Sequence, residues 1–175
     1  ILGAWDEFLQ GLNNKIIGFP VWANEFKTND NILDLPKWKQ EIILKNRKLY
    51  KDNQKHIDTW LKKHNCLKDF VRTHTKFEWQ AGTSINSVWD GIIQFRPSGI
   101  RVKRPTEFPA LVAMVHIPII GWQKRRITPR EAANLQRFPE DFKINPNPQQ
   151  AYKQFGNSVN VDVVKFIAKQ LFSDG

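Results

Sequence analysis

Arg126-Ile127-Thr128-Pro129-Arg130-Glu131-Ala132-Ala133-Asn134-Leu135-Gln136-Arg137-Phe138-Pro139 and Gln149-Gln150-Ala151-Tyr152-Lys153-Gln154-Phe155-Gly156-Asn157-Ser158-Val159 are the two strings on which the reading of this chain turns. The first is a helix start. Thr128 can cap, Pro129 sits where its missing N–H costs nothing, and Glu131 can return a hydrogen bond to the cap. Ala132, Ala133 and Leu135 continue that helix and Phe138-Pro139 ends it; a loop bearing Pro139, Pro146 and Pro148 leads to the second string. There Gly156-Asn157-Ser158 predicts a sharp turn whose backbone N–H groups face outward at a helix start, an end that attracts anions. Ser158 could equally cap that helix. Val159, Val163, Phe166, Ile167 and Leu171 fit a closing amphipathic helix.

Working outward, the stretch from about 76 to 120 reads as strands. Ile92-Ile93-Gln94-Phe95 leads into Arg96-Pro97-Ser98-Gly99, a turn, and then into Ile100-Arg101-Val102-Lys103-Arg104. Alternation puts Ile100 and Val102 in a core and Arg101 and Lys103 on the open face. Leu111-Val112-Ala113-Met114-Val115 is an apolar run suited to a strand buried on both sides. Residues 1 to about 70 read as helical and basic. Trp5, Phe8, Leu9 and Leu12 predict a helix running until Gly18-Phe19-Pro20. Asp34 could cap a second helix with Pro36 in its first turn, Trp38, Ile42 and Leu49 sharing one face; Ile57, Trp60 and Leu61 resume the pattern. Between Lys37 and His64 lie nine Lys or Arg and three acids, which suits a solvated helix face or a phosphate-contacting one.

A net charge of +10 asks for an acidic partner, most often nucleic acid. No apolar run approaches the ~20 residues of a membrane helix. A single cysteine, Cys66, cannot form an internal disulfide and points to an intracellular compartment. His56, His64, His74 and His116 are scattered, so no metal is expected. The opening Ile1-Leu2-Gly3 has no initiator Met, and the chain is expected to begin inside a longer protein.

The two opening strings resemble the ninth and tenth sequence motifs of the DNA (cytosine-5) methyltransferases, in the family's order and at roughly its spacing. The resemblance implies that Asn157, Ser158 and Val159 line the pocket of S-adenosylmethionine. Arg126, Thr128, Pro129, Arg130, Glu131, Gln154 and Gly156 are then structural motif residues, with Arg126 and Arg130 scaffold hydrogen-bonders in preference to base readers. It also implies a target-recognition domain over residues 1–122, helical and basic over 1–70 and strand-rich over 76–120, with 123–175 completing the catalytic domain. Its readers must reach base edges, typically Arg or Lys to guanine and Gln or Asn to adenine. Arg96, Ser98, Arg101, Lys103 and Arg104 are the candidates, some of them touching only phosphate.

The family's chemistry uses a cysteine thiolate, preceded by proline, that attacks C6 of a cytosine swung out of the helix. Cys66 follows Asn65 and reads as a small helix-end or core residue. The family's glycine-rich cofactor loop is missing as well, so no catalytic residue is assigned and the chain alone is expected to be inactive. The expected fold is mixed α and β, a small twisted sheet with flanking helices, plus a C-terminal helix that packs on a doubly wound α/β catalytic domain outside this sequence. That leaves an apolar face on residues 159–172 uncovered. The expected function is the DNA-recognition part of a sequence-specific methyltransferase in a bacterial, cytoplasmic restriction-modification system. Its partners are then double-stranded DNA and an N-terminal catalytic half, attached or separate. The rival is a non-catalytic DNA-binding specificity subunit or regulator.

Overall fold

Trp5, Phe8 and Leu9 are spaced to line one face of a helix, and in the computed structural model all three are fully buried along α1 (Leu2–Gln10). The structure describes residues 1–15, 17–111 and 116–173. It divides into two compact units, Ile1–Phe108 with Ile120–Lys124, and Pro109–Ile119 with Arg125–Gly175.

The first unit packs helices on a sheet. Short strand β1 (Val21–Trp22) precedes α2 (Lys37–Asp52) and α3 (Gln54–Lys63); β2 (Lys76–Trp79), β3 (Ile92–Arg96) and β4 (Gly99–Lys103) follow. Strand order is β1-β2-β4-β3, with β2 parallel to β4 and the other two pairs antiparallel. Trp5 stacks on Phe77 of β2 at 4.8 Å between ring centroids, and Trp60 of α3 lies 5.2 Å from Trp5 and 5.0 Å from Phe8. Both indoles are satisfied: Trp5 Nε1 donates to His74 O at 2.9 Å and Trp60 Nε1 to Ala4 O at 2.6 Å. Burying these rings removes a large apolar area from water while leaving no N–H orphaned.

Several helical expectations are corrected. α1 ends at Gln10 and not near Gly18, because the chain turns at Gly11, where a Cβ would lie 2.0 Å from the His56 ring. On α2 the inward positions are Ile43 and Asn46; Trp38 is 60% exposed and Ile42 half-buried, so the face read through Trp38, Ile42 and Leu49 is off by about one residue. Pro36 occupies the N-cap in place of Asp34. Asn46, fully buried, explains the shift. It accepts from Trp22 N at 2.7 Å and donates to Pro20 O and Ile42 O at 3.0 and 2.9 Å, joining β1 to α2 through a satisfied polar contact. Ile57, Trp60 and Leu61 are buried on α3 as their spacing predicts.

Strand β4 alternates as its sequence does, whereas Ile92, Ile93 and Gln94 at the start of β3 are all buried. Ile100 and Val102 are fully buried, while Arg101 and Lys103 between them are partly exposed. Arg96 pairs with Gly99, leaving Pro97-Ser98 as a two-residue hairpin loop. Gly99 has φ +133 and its Cβ would come within 2.8 Å of the Lys76 backbone, so no other residue fits there. The strand read over Leu111–Val115 falls largely on residues 112–115, outside the described residues.

The second unit contains β6 (Arg125–Arg126), α4 (Pro129–Leu135), α5 (Pro148–Asn157) and α6 (Val161–Ser173); β5 (Ile119–Ile120) lies where the chain passes between the units. Phe138, Phe142 and Phe155 cluster with centroids 4.6 to 6.2 Å apart, and Ala132, Ala133 and Ala151 are buried beside them in sequence. No residue of α6 is buried: Val163, Val164, Phe166, Ile167, Leu171 and Phe172 are all at least half exposed.

Trp5→Ala should destabilise the first unit by about 3–5 kcal/mol, the usual cost of emptying a large aromatic site. Trp5→Phe should cost less. Urea unfolding followed by circular dichroism measures both; equal midpoints for wild type and Trp5→Ala would contradict the assigned core.

Candidate nucleic-acid interface

Three of the five hairpin candidates lie on the sheet face opposite the core. Parallel pairing sets Glu78 of β2 beside Arg101 of β4. The Glu78 carboxylate accepts from Arg101 Nε at 2.9 Å and Arg101 Nη2 at 3.2 Å, and from Arg96 Nη1 at 3.4 Å. All three side chains are roughly a quarter to a third exposed, so the group is shielded from bulk water on part of its surface. Lys103 continues the same face. Arg104 and Ser98 are exposed beyond it, Arg104 lying 3.6 Å from Glu107 and Ser98 at the hairpin tip. Sequence reading missed Glu78, though its place in Lys76-Phe77-Glu78-Trp79 carries the period-two signal that would have found it.

The basic start is partly neutralised locally. Lys48 pairs with Asp52, Lys63 with Glu7 and Lys27 with Asp58. Cys66 is exposed, in a short left-handed stretch just beyond α3, and so lies at a helix end and not in a core. Among the described residues no group of His, Cys, Asp and Glu could hold a metal ion, and no helix is long and apolar enough to cross a membrane.

In the second unit Thr128 accepts from Glu131 N at 3.2 Å and Glu131 accepts from Thr128 N at 2.7 Å, a complete capping box with Pro129 at its first turn. Arg125 then grips Glu131 with two hydrogen bonds of 2.8 and 2.7 Å. With the Thr128 backbone N–H, this guanidinium holds the Glu131 carboxyl at about 2, against an ordinary 4.5. Arg125 was not singled out from sequence, since no local spacing rule connects it to Glu131. Arg130 donates to Phe142 O at 2.9 Å and reaches Pro139 O at 3.5 Å, tying α4 to the following loop. Arg126 is exposed on β6. Tyr152 donates to Ile127 O at 2.6 Å.

The turn read at Gly156-Asn157-Ser158 is placed differently. Gly156 and Asn157 finish α5, and extended Ser158 is its C-cap, its hydroxyl donating to Phe155 O at 2.8 Å. The cap of α6 is Asn160, whose Oδ1 accepts from Asp162 N and Val163 N at 3.1 and 3.3 Å. Ser158 therefore does not cap the last helix, and the first free donors of α6 are met by Asn160 and do not face outward. At the junction Asn157 and Val159 are exposed and Ser158, between them in sequence, is half-buried. Gln154 lines an open cleft of about 510 Å³ with Phe138, Phe142, Ile144, Pro146 and Phe155. Asn157, Ser158 and Val159 line no part of it. As one exposed amide, one hydroxyl and one apolar side chain, they fit one wall of a nucleoside site and cannot enclose one.

The family model described as "C-5 cytosine-specific DNA methylase" matches residues 8–173. The chain is 41% identical over 138 residues, 78% of its length, to the type II methyltransferase M.AluI of Cellulosimicrobium cellulans, covering 26% of that protein. It is 57% identical over 53 residues (30% of this chain, 14% of the relative) to M.SsoII of Shigella sonnei. To M.HhaI of Haemophilus parahaemolyticus it is 40% identical over 55 residues (31% of this chain, 17% of the relative). The chain thus spans about a quarter or less of the length of these curated relatives. No solved structure matches it significantly.

Because the Glu131 pKa is lowered on folding, its contribution to stability is complete above about 4.5 and is lost as pH falls towards about 2. The pair is more than a third exposed, so solvent screening limits the contribution to roughly 1 kcal/mol. Glu131→Gln should therefore lower the midpoint of thermal unfolding at neutral pH, with the difference from wild type closing on acidification. A gap of constant size between pH 7 and pH 2 would contradict the assigned pair.

Proposed function

The chain belongs to the C-5 cytosine-specific DNA methylase family, and from that premise we propose that it is the DNA-recognition and cofactor-pocket-completing C-terminal part of a sequence-specific DNA (cytosine-5) methyltransferase. The observation that carries the reading is the two-faced sheet of the first unit. Ile100 and Val102 close the core, and Arg96, Arg101 and Lys103 stand on the opposite face beside exposed Arg104 and Ser98. Cationic side chains on a rigid hairpin suit base edges and phosphates of a duplex, with phosphate contacts setting position and base contacts setting sequence. The first unit is then the target-recognition domain and the second the piece that completes the catalytic domain.

S-adenosylmethionine, when bound, supplies the methyl group for cytosine C5. In this chain Asn157, Ser158 and Val159 would form one wall against it, with Asn157 at the end of α5. The remaining wall and the Pro-Cys nucleophile belong to an N-terminal catalytic half. The exposed apolar stripe of α6 supports that division, since Val163, Phe166, Ile167 and Leu171, at helical spacing, are all at least half exposed. A restriction-modification setting accords with the type II names of the relatives.

The chain incubated with plasmid DNA and labelled S-adenosylmethionine should transfer no label, and mixing with a catalytic half from the same locus should give site-specific label. Asn157→Ala should then raise the KM for S-adenosylmethionine several-fold with little effect on DNA affinity. DNA binding without label in the mixture would favour a non-catalytic specificity subunit. Independently, Arg104→Ala should weaken binding to all duplexes alike and flatten the salt dependence by about one counterion. An unchanged salt slope would remove Arg104 from the phosphate contacts.

A further inference from the structure

Strands β2 to β4 carry four cations, Lys76, Arg96, Arg101 and Lys103, and one carboxylate, Glu78. That carboxylate is shared by two guanidinium groups, which leaves one positive charge uncompensated in a setting only partly open to water. A pair that served stability alone would need one arginine; the second is a half-buried charge whose desolvation works against folding. The surplus calls for an acceptor from outside.

The geometry of the pair says which acceptor. Arg101 meets Glu78 side-on, through Nε and Nη2. A guanidinium has five N–H groups in a rigid plane. Side-on pairing therefore leaves the end-on fork, both hydrogens of Nη1 and the second of Nη2, unspent. Among the described residues Nη1 of Arg101 has no protein partner, yet it is not among the polar atoms shut off from solvent. Parallel register between Glu78 and Arg101 holds the plane of this fork with respect to the sheet, as a side chain on a mobile loop would not be held.

We infer that Glu78 is a positioning residue, holding Arg101 side-on so that its free fork engages the O6 and N7 acceptors of a guanine in the major groove, with Arg96 the second cation on the same carboxylate. This rests on the DNA-reading role proposed above. Guanine suits the site better than phosphate for two reasons. Its acceptor pair is neutral and does not meet repulsion from the Glu78 carboxylate, whereas a phosphate does. It is also planar and two-pronged, so a fixed guanidinium orientation matters to it, while phosphate oxygens accept from many directions.

The test is selection from a pool of duplexes randomised over their central positions, using the chain and its Arg101→Lys, Glu78→Gln and Glu78→Asp variants. Circular dichroism is run first, and Glu78→Asp replaces Glu78→Gln if the latter does not fold. Wild type should enrich a site with at least one fixed guanine. Arg101→Lys, which keeps the charge and loses the fork, should lose about tenfold or more of its preference at one guanine, a larger loss than it shows on unselected duplex. Glu78→Gln should relax the same position without weakening unselected binding, a result that loss of fold stability would not produce. Replacing that guanine by a deaza analogue lacking N7 should weaken wild type more than it weakens Arg101→Lys. If the variants enrich the same site as wild type, the inference is overturned and the DNA-reading role stands. Equal loss on every duplex with a shallower salt slope makes Arg101 a phosphate contact and also overturns it. A wild-type chain that enriches no sequence overturns the DNA-reading role itself, and the inference with it.

Discussion

The stack of Trp5 on Phe77 is the contact from which the first unit is organised. Phe77 is 1% exposed beneath Trp5 of α1, and that burial decides which way β2 faces. With Phe77 and Trp79 inward, Glu78 must face outward, and the parallel register with β4 brings it beside Arg101. A slip of one residue would send Glu78 into the aromatic core and Phe77 into water, an exchange whose cost excludes the alternative. The charged face and the aromatic core are thus one arrangement seen from its two sides. Gly99 tightens it further, since the close approach of β4 to the Lys76 backbone leaves no room for a side chain.

The second unit is held by polar contacts at helix ends more than by a broad core. Thr128, Glu131 and Arg125 fix the start of α4, Asn147 caps α5 and Asn160 caps α6. Gln136 adds a link, its carbonyl accepting from Val161 N and its amide donating to Phe155 O. These bonds direct α6 without burying it. An amphipathic helix with a fixed starting direction and an open apolar face fits the proposed role of completing a larger domain.

Legibility in the sequence followed the range of the interactions. The Thr128-Pro129-Arg130-Glu131 start and the Ile100 to Lys103 alternation were readable because a cap and a pleat are set by neighbours in the chain. Buried Asn46 was not, because its three partners include Trp22 and Pro20 from another element, and a polar residue breaks the apolar periodicity that locates a helix face. The Gly156-Asn157-Ser158 turn was misplaced because three capping-type residues, Asn157, Ser158 and Asn160, crowd one junction, and side-chain geometry alone selects among them. Glu78 was visible as an outward residue in its strand, but its pairing with two arginines depended on the parallel crossover that separates β2 from β4 in sequence. The family itself was legible from about a seventh of the chain, and the match over residues 8–173 extends it to nearly the whole.

The central claim is that this chain reads DNA through the outward face of the β2–β4 sheet. The most direct measurement is an NMR titration of the arginine side-chain Nε–Hε resonances with a duplex that the chain binds. Large shifts and slowed exchange at Arg101 and Arg96, with Arg47 of α2 and Arg72 just ahead of β2 unmoved, are the predicted result. Shifts confined to Arg47 and Arg72, or absent from Arg96 and Arg101 at saturation, would contradict it.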